Sequence, residues 1–402
     1  MQTALSAGAA FEPRGRIQIS RGFANLLGSI MLRSIKNIAS AIFKENPPAF
    51  TDPLARLSFS IFRKLQGPQA IEWFPSYVCN SRCQYCGGYD KEAKAGFGKI
   101  VPTKNITEWI KSSGSSGSTL WNIGGRGGEP LLYPKLIEAL ELIKFYKMQG
   151  VLITNGILLD EAFLSRLAKA KWDILRISLD SHIPEIHDQI RGIEGNFRNI
   201  DKALNLLKKI KEDSSSAYPY IICCPVITSK NYKHIPGYIE YCIKQGVEEI
   251  QFMPLINVHQ RAAQLSLSDE QKNELMVFLQ ASVGEKRIRH NIGFIISLFK
   301  DNKNTDPGIP VVSNSPKKLY CIHLWKTLVI SEDGFLSPCS LIKDKLLKIN
   351  GSYTGAWNSR EMNNLRQKIL RGELISPLCN DCCGPLRNET DNFNRYLQEV
   401  SH

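Results

Sequence analysis

The chain has 402 residues, 43% of them hydrophobic and 22% charged, with a formal net charge of +13. That length admits one large α/β domain plus a smaller module, and the composition excludes a disordered or low-complexity protein. The basic excess suits a nucleic acid, an anionic membrane surface or an acidic substrate, and equally a plain solvated surface. Eleven cysteines, an odd number in a long chain, do not read as the disulfide framework of a small secreted domain. Glu12, Arg14 and Arg16 stand where a signal peptide would carry its apolar core, and Gly22–Leu32 is shorter than the ~20 residues a membrane span needs. A reducing cytoplasm is the expected setting, in which clustered cysteines bind metal more often than one another.

Residues 1–69 form an N-terminal helical extension in this reading. Phe23, Leu27, Ile30, Met31, Ile35, Ile38 and Ile42 recur at helical spacing, among Arg21, Arg33, Lys36 and Lys44. A basic amphipathic helix over residues 19–44 suits peripheral contact with a membrane, or packing against its own protein or a second subunit. Asn46-Pro47-Pro48 breaks it, and Asp52-Pro53 opens a second helix through Lys64.

Over residues 70–300 short apolar runs alternate with amphipathic helices, the pattern of βαβ units on a parallel sheet. The predicted strands are Ile71–Val78, Thr119–Ile123, Gly150–Thr154, Ile174–Leu179, Tyr220–Ile227 and Glu249–Met253. The predicted helices include Pro134–Lys147, Asp160–Lys169, Phe197–Lys211 and Ile235–Gln245, and Gly114–Ser118 reads as a loop or helix end. Six units are too few to close the usual eight-unit barrel, so a partial, open (β/α)6 TIM-like barrel is expected. Residues 301–402 loosen into loops that carry Cys321, Cys339, Cys379, Cys382 and Cys383.

Directly after the first strand comes Cys79-Asn-Ser-Arg-Cys83-Gln-Tyr85-Cys86. A closed structural site needs four protein ligands, whereas three thiolates on a [4Fe–4S] cluster leave one iron open. Loops at the C-terminal ends of barrel strands are also where such folds build active sites. This spacing, with an aromatic before the last cysteine, resembles the signature of radical S-adenosylmethionine (radical SAM) enzymes. Three further motifs carry the same resemblance in order. Gly127-Gly128-Glu129-Pro130 looks like the family's motif for the SAM amino group: glycines let backbone approach closely, and a carboxylate pairs with an ammonium. Thr154-Asn155-Gly156 follows the third strand. Ser178-Leu-Asp180 and the downstream Arg191 resemble relatives with a SPASM or Twitch extension. The resemblance implies that Gly127, Gly128, Glu129, Asn155, Ser178 and Arg191 bind SAM, Ser178 and Arg191 at its ribose and carboxylate. Ser178 also suits a satisfied strand-end hydroxyl, and Arg191 a surface arginine. Arg126, inside the glycine motif, is a departure; it suits an anionic substrate group, Glu129 or a neighbouring loop.

Gly334-x4-Cys339, with Cys321 before it and Cys379-x2-Cys382 after it, looks like a shortened SPASM domain of the Twitch kind. Cys321, Cys339, Cys379 and Cys382 would hold a second, fully ligated [4Fe–4S] cluster, with Cys383 as bystander or substitute for Cys382. Four thiolates in this pattern also suit a structural zinc. Cys223, Cys224 and Cys242 read as buried small hydrophobes.

The resemblance implies reductive cleavage of SAM to a 5′-deoxyadenosyl radical that abstracts a substrate hydrogen atom. The auxiliary cluster would assist electron transfer in an oxidation, crosslinking or epimerisation. No catalytic residue beyond the cluster is assigned. The expected partners are a peptide, sugar-like, lipid-linked or other small-molecule substrate and an electron donor such as ferredoxin or flavodoxin. The contrasting reading is a zinc-stabilised nucleic-acid-binding protein. Three cysteines in the first site, and basic residues scattered without interleaved aromatics, argue against it.

Overall fold

The computed structural model describes residues 67–87, 100–255, 260–300, 321, 323–340, 342, 344–370, 373–376 and 379. The predicted N-terminal helices, with the 19–44 segment, lie outside the described residues, as do Cys382 and Cys383.

Twelve strands follow one another along the described chain: β1 (Ala70–Trp73), β2 (Leu120–Ile123), β3 (Gln149–Thr154), β4 (Ile174–Ile177), β5 (Tyr220–Cys223), β6 (Val226–Ile227), β7 (Glu249–Ile250), β8 (Met253–Pro254), β9 (Arg289–His290), β10 (Thr327–Ile330), β11 (Phe335–Ser337) and β12 (Leu347–Lys348). The helices are α1 (Thr103–Ser115), α2 (Leu136–Phe145), α3 (Glu161–Lys169), α4 (Pro184–Arg191), α5 (Asn196–Ser214), α6 (Ile235–Lys244), α7 (Gln260–Ala263), α8 (Asp269–Ser282), α9 (Ile292–Lys300), α10 (His323–Lys326), α11 (Tyr353–Trp357) and α12 (Arg360–Leu370). The main sheet runs β12-β11-β10-β1-β2-β3-β4-β5-β7-β9, and β6 pairs with β8 apart from it. The six strands β1 to β5 and β7 are parallel neighbours, which is the expected partial barrel.

Period-2 alternation sets the faces of this sheet. Ile71, Trp73, Trp121, Ile123, Leu175 and Ile177 are fully buried in one core with the helices. Trp73 stacks edge-on to Tyr133 at 4.9 Å between ring centroids, one of the aromatic pairs that fill this layer. The intervening residues Glu72, Asn122, Ile153 and Arg176 are half-buried on the opposite face. Helix starts follow local chemistry: the Asp160 carboxylate accepts from the Phe163 N–H at 2.8 Å, and Ser268 with Gln271 makes a full capping box for α8.

Four expectations change, the predicted Glu249–Met253 strand among them, which divides into β7 and β8 in separate sheets. The first strand ends at Trp73 rather than Val78, because the chain leaves the sheet to build the cysteine loop. The predicted Tyr220–Ile227 strand breaks at Cys224–Pro225, since Pro225 offers no N–H to the ladder, and its second half becomes β6. The described residues between 323 and 370 hold more regular elements than their sequence pattern implied. β10 lies parallel to β1, in register from Ala70 with Thr327 to Trp73 with Ile330, and β11 and β12 continue antiparallel. Gly114–Ser118 is a helix end, as read.

Gly150 shows how tightly the connection into β4 packs against β3. A Cβ there would come within 2.1 Å of the Trp172 ring, which is wholly buried. Gly150→Ala is therefore expected to cost about 3 kcal/mol from overpacking, whereas Gly284→Ala, with nothing within 4 Å, is neutral. Denaturant unfolding of the two variants beside the parent checks this.

Candidate active site

The loop from Phe74 to Gly87 carries Cys79, Cys83 and Cys86. It is held by backbone as much as by side chains. Arg82 N donates to Arg191 O and Gln84 N to Ile190 O, both at 2.9 Å, and Ser81 Oγ donates to Arg191 O at 2.8 Å. The last carbonyls of α4, which a helix end leaves without partners, are thus satisfied by the cysteine loop. Gly192, in the left-handed region at φ 64°, permits the approach; a Cβ there would lie 2.3 Å from Arg82 O.

The thiols receive weak donors: Ser81 N at 3.4 Å and Asn155 Nδ2 at 3.7 Å from Cys79 Sγ, and Arg191 Nη1 at 3.7 Å from Cys83 Sγ. Burial pushes Cys79 up to about 11, the Ser81 N–H opposing and the charges of Cys83, Glu129 and Cys86 adding to the rise. A site that disfavours the free Cys79 thiolate beside two other thiols is relieved by a bound cation.

The glycine motif stacks directly on this loop. A Cβ on Gly128 would sit 1.7 Å from Ser76 O, and one on Gly125 would sit 1.8 Å from Gly128 O, so neither position accepts a side chain. Glu129 N donates to Val78 O at 2.8 Å. The Glu129 side chain is buried, with Oε1 accepting from Thr154 Oγ1 at 2.6 Å and Leu131 N at 3.1 Å, and Oε2 from Asn155 N at 2.9 Å. Burial raises its pKa; the Thr154, Asn155 and Leu131 donors and the Arg191 charge hold the rise down. Asn155 also donates to Asn80 Oδ1 at 2.7 Å. Ser178 lies just past β4, its N–H donating to Thr154 O at 3.0 Å.

Asp180, which sequence reasoning quoted but did not assign, is the hub. Its Oδ2 stands 2.7 Å from Arg191 Nε, with both side chains buried, and accepts from Tyr85 Oη at 3.0 Å. Its Oδ1 accepts from Val226 N at 2.9 Å, and its carbonyl from Asn231 Nδ2 at 2.7 Å. Arg191 is accordingly not a surface arginine. Burial works against its charge, yet Asp180, Tyr85 and Cys83 hold it above the ordinary arginine range. His187 closes the hub, its Nδ1 accepting from Asp180 N at 3.1 Å.

The second cysteine group gathers Cys321, the buried Cys339 and Cys379. Burial pushes Cys321 up to about 11, the His323 and Leu324 N–H groups opposing while Cys339 and Cys379 add to the rise. Gly334, at φ 82°, makes the β10–β11 turn ahead of Cys339, donating to Ser331 O at 2.9 Å. Among the described residues no three His, Cys, Asp or Glu side chains converge as tightly as a single metal ion requires. In each group one thiol, Cys79 or Cys321, instead feels the charges of the other two, and a polynuclear cluster spreads its ligands over separate corners. Arg126 pairs with neither Glu129 nor solvent but with Glu332 of the β10–β11 turn, at 3.3 Å. Cys223 and Cys242 are buried against each other in the helix-side core. Cys224 differs: it is half-buried at the end of β5, beside Arg176 and Arg191, its thiol pushed up to about 12 by burial.

A three-thiol loop after the first parallel strand, a buried carboxylate on a glycine loop after the second and Thr-Asn-Gly after the third define an open-barrel class built around a cluster and a small cofactor. Residues 73–226 match the model of the radical SAM superfamily. It is similar to the probable GTP 3′,8-cyclase of Methanococcus maripaludis, 26% identical over 277 residues, 67% of this chain and 84% of the relative. It is similar to the mycofactocin maturase MftC of Mycobacterium tuberculosis, 26% identical over 196 residues, 49% of this chain and 47% of the relative. Its fold resembles that of Streptococcus suis SuiB bound to precursor peptide SuiA, with TM-score 0.56 and 14% identity over 85% of this chain and 79% of that one. The chain is a radical SAM enzyme, using a [4Fe–4S] cluster and S-adenosylmethionine.

Two outcomes follow from the hub. Asp180→Ala leaves Arg191 buried without its partner and is expected to cost about 3–5 kcal/mol, read by denaturant unfolding; Asp180→Ala combined with Arg191→Met costs less than the sum of the two single changes. His187 has its pKa depressed to about 3 by burial, with Arg191 adding. The unfolded chain therefore binds a proton that the folded chain refuses. Stability is complete above the ordinary histidine pKa of about 6.5 and falls as pH drops toward 3. His187→Gln should flatten that part of the stability–pH curve, and an unchanged slope would count against the assignment.

Proposed function

We propose that Cys79, Cys83 and Cys86 hold the SAM-binding [4Fe–4S] cluster, and that Gly127, Gly128, Glu129, Asn155, Ser178 and Arg191 form the SAM site around it. The observation that carries this reading is the junction of the cysteine loop, the glycine loop and the end of β3 around the buried Glu129 carboxylate. The residues fit the group: three thiols, two of them with weak donors, glycines that leave no room for a Cβ, and a buried carboxylate whose missing counter-charge an ammonium supplies. When bound, cluster and SAM supply one-electron cleavage of the sulfonium and a carbon radical that removes a substrate hydrogen atom. The chain's own residues orient the carboxylate, seat the glycine backbone and exclude water. Asn155 would orient the same end of SAM as Glu129, while Arg191, committed to Asp180, would act on the cluster side through Cys83.

Cys321, Cys339, Cys379 and Cys382 are proposed to hold the second [4Fe–4S] cluster, with residues 301–402 as its domain and 70–300 as the barrel. That cluster would assist electron transfer, and the electrons would come from a donor such as ferredoxin or flavodoxin in the cytoplasm. The substrate is a peptide or small molecule. The inner wall that would face it carries Glu72, Asn122 and Arg176, a polar lining with both charges, and the likeness to SuiB bound to precursor peptide SuiA favours a peptide. Peripheral membrane contact through residues 19–44 would bring a lipid-linked substrate within reach.

Anaerobic reconstitution with iron and sulfide tests this reading. About eight irons per chain are expected, falling to about four in Cys83→Ala, Cys86→Ala. Release of 5′-deoxyadenosine on adding SAM and dithionite should vanish in that variant. Zinc in place of iron, or no deoxyadenosine from fully loaded protein, would overturn it.

A further inference from the structure

In Gly124-Gly125-Arg126-Gly127-Gly128 the arginine is the only residue with a side chain. The glycine loop can therefore be anchored sideways by Arg126 alone. Its guanidinium lies 4.7 Å over the Phe74 ring, Nη1 donates to Ile342 O at 3.1 Å, and Nη2 stands 3.3 Å from Glu332 Oε2 and 3.5 Å from Ser337 Oγ. The pair is out of solvent, with side-chain exposures of 7% for Arg126 and 2% for Glu332. All three polar partners belong to one stretch, 332–342, and that stretch contains Cys339. One residue on, Asp333 accepts from Tyr77 Oη at 3.2 Å and pairs with Lys345, whose ammonium lies 5.7 Å from the centre of the Tyr77 ring. Tyr77 belongs to the cysteine loop. A single turn thus grips both loops of the SAM site.

Stability alone is a poor reason for this arrangement. Desolvating two charges costs most of what their attraction returns, and an apolar pair of equal volume would hold as well. A planar guanidinium with donors fixed in a fork does something else: it sets direction. We propose that Arg126 and Glu332 are positioning residues that couple SAM binding on the glycine loop to the integrity of the C-terminal cysteine group. A metal group held by Cys339 orders the segment carrying Glu332, Ser337 and Ile342, because metal binding orders the chain that supplies its ligands. Through Arg126 that order reaches Gly127 to Glu129. The inference rests on the proposed SAM site and deepens it.

The test is a coupling cycle on the full chain, reconstituted anaerobically, with SAM affinity read by equilibrium dialysis and iron content beside it. Cys321→Ala with Cys339→Ala should weaken SAM binding about tenfold in the otherwise native chain. In an Arg126→Met, Glu332→Leu background, which should itself bind SAM about tenfold more weakly while keeping the iron of the first cluster, the same cysteine changes should do almost nothing. Glu332→Gln, which preserves volume, reads the same coupling should the apolar background fail to fold. Equal weakening in both backgrounds, or in neither, overturns the coupling. Absence of SAM binding by the native chain overturns the proposed SAM site itself, and that failure appears before any variant is made.

Discussion

The buried ion pair between Asp180 and Arg191 is the constraint on which the site depends. Asp180 sits at the end of β4 and Arg191 at the last turn of α4, so the pair closes a short strand-to-helix connection. It also reaches across the chain. The same Arg191 residue offers its carbonyl to the cysteine loop at Arg82 and Ser81 and its guanidinium to Cys83. Removing either charge would leave the other uncompensated in a place with almost no water. The cysteine loop contains no regular element of its own beyond a turn, and its shape is borrowed from α4. That is how eight residues between two irregular ends can hold Cys83 and Cys86 near enough for their charges to reach Cys79.

A second theme is burial without full compensation. Cys79 and Glu129 both have their charged forms disfavoured by burial, and Cys321 in the other group is treated alike. Proteins rarely tolerate such groups unless something completes them. Metal and ammonium are cations, and each completes a buried anion. The electrostatics and the donor types therefore point the same way, although they arise from different residues. Glu129 illustrates the balance: three donors keep it oriented, yet burial still prevails over them. More donors would make a finished internal carboxylate with no use for a partner.

How much of this was legible in the sequence depends on the range of the interactions. Cys79, Cys83 and Cys86 lie within one loop, and the glycine motif and Thr154-Asn155 within single turns, so spacing alone displays them. The parallel strands are legible because period-2 alternation is a local property, although Pro225 shortens one of them in a way the apolar run Tyr220–Ile227 conceals. Asp180 is a different matter. Its bonds to Tyr85, Val226 and Asn231 span 95, 46 and 51 residues, and a lone aspartate in a strand-end motif says nothing of them. The signal that could have found it was its company: an acidic residue in an otherwise apolar strand end, eleven positions before an arginine on a helix. Arg126 and Glu332 are separated by 206 residues, and a sequence offers no register between segments so distant. The same holds for β10, whose four buried residues look like any short apolar run until they are seen beside β1.

The two faces of the sheet answer to different constraints. On the helix side every position is packed, and a single added methyl group at Gly150 meets a tryptophan ring. On the inner side Glu72, Asn122, Arg176 and Cys224 stand half-buried, and the first two are joined by a 3.1 Å hydrogen bond. Polar side chains in that position add little to folding, because a half-wet hydrogen bond contributes about 1 kcal/mol at most. They are free to change at little cost to folding, whereas the outer face is not. An open barrel can therefore keep one cysteine loop, one glycine loop and one Asp180–Arg191 hub while its inner wall is rewritten. The same division fits the finding that relatives about 26% identical to this chain bear names that describe different reactions.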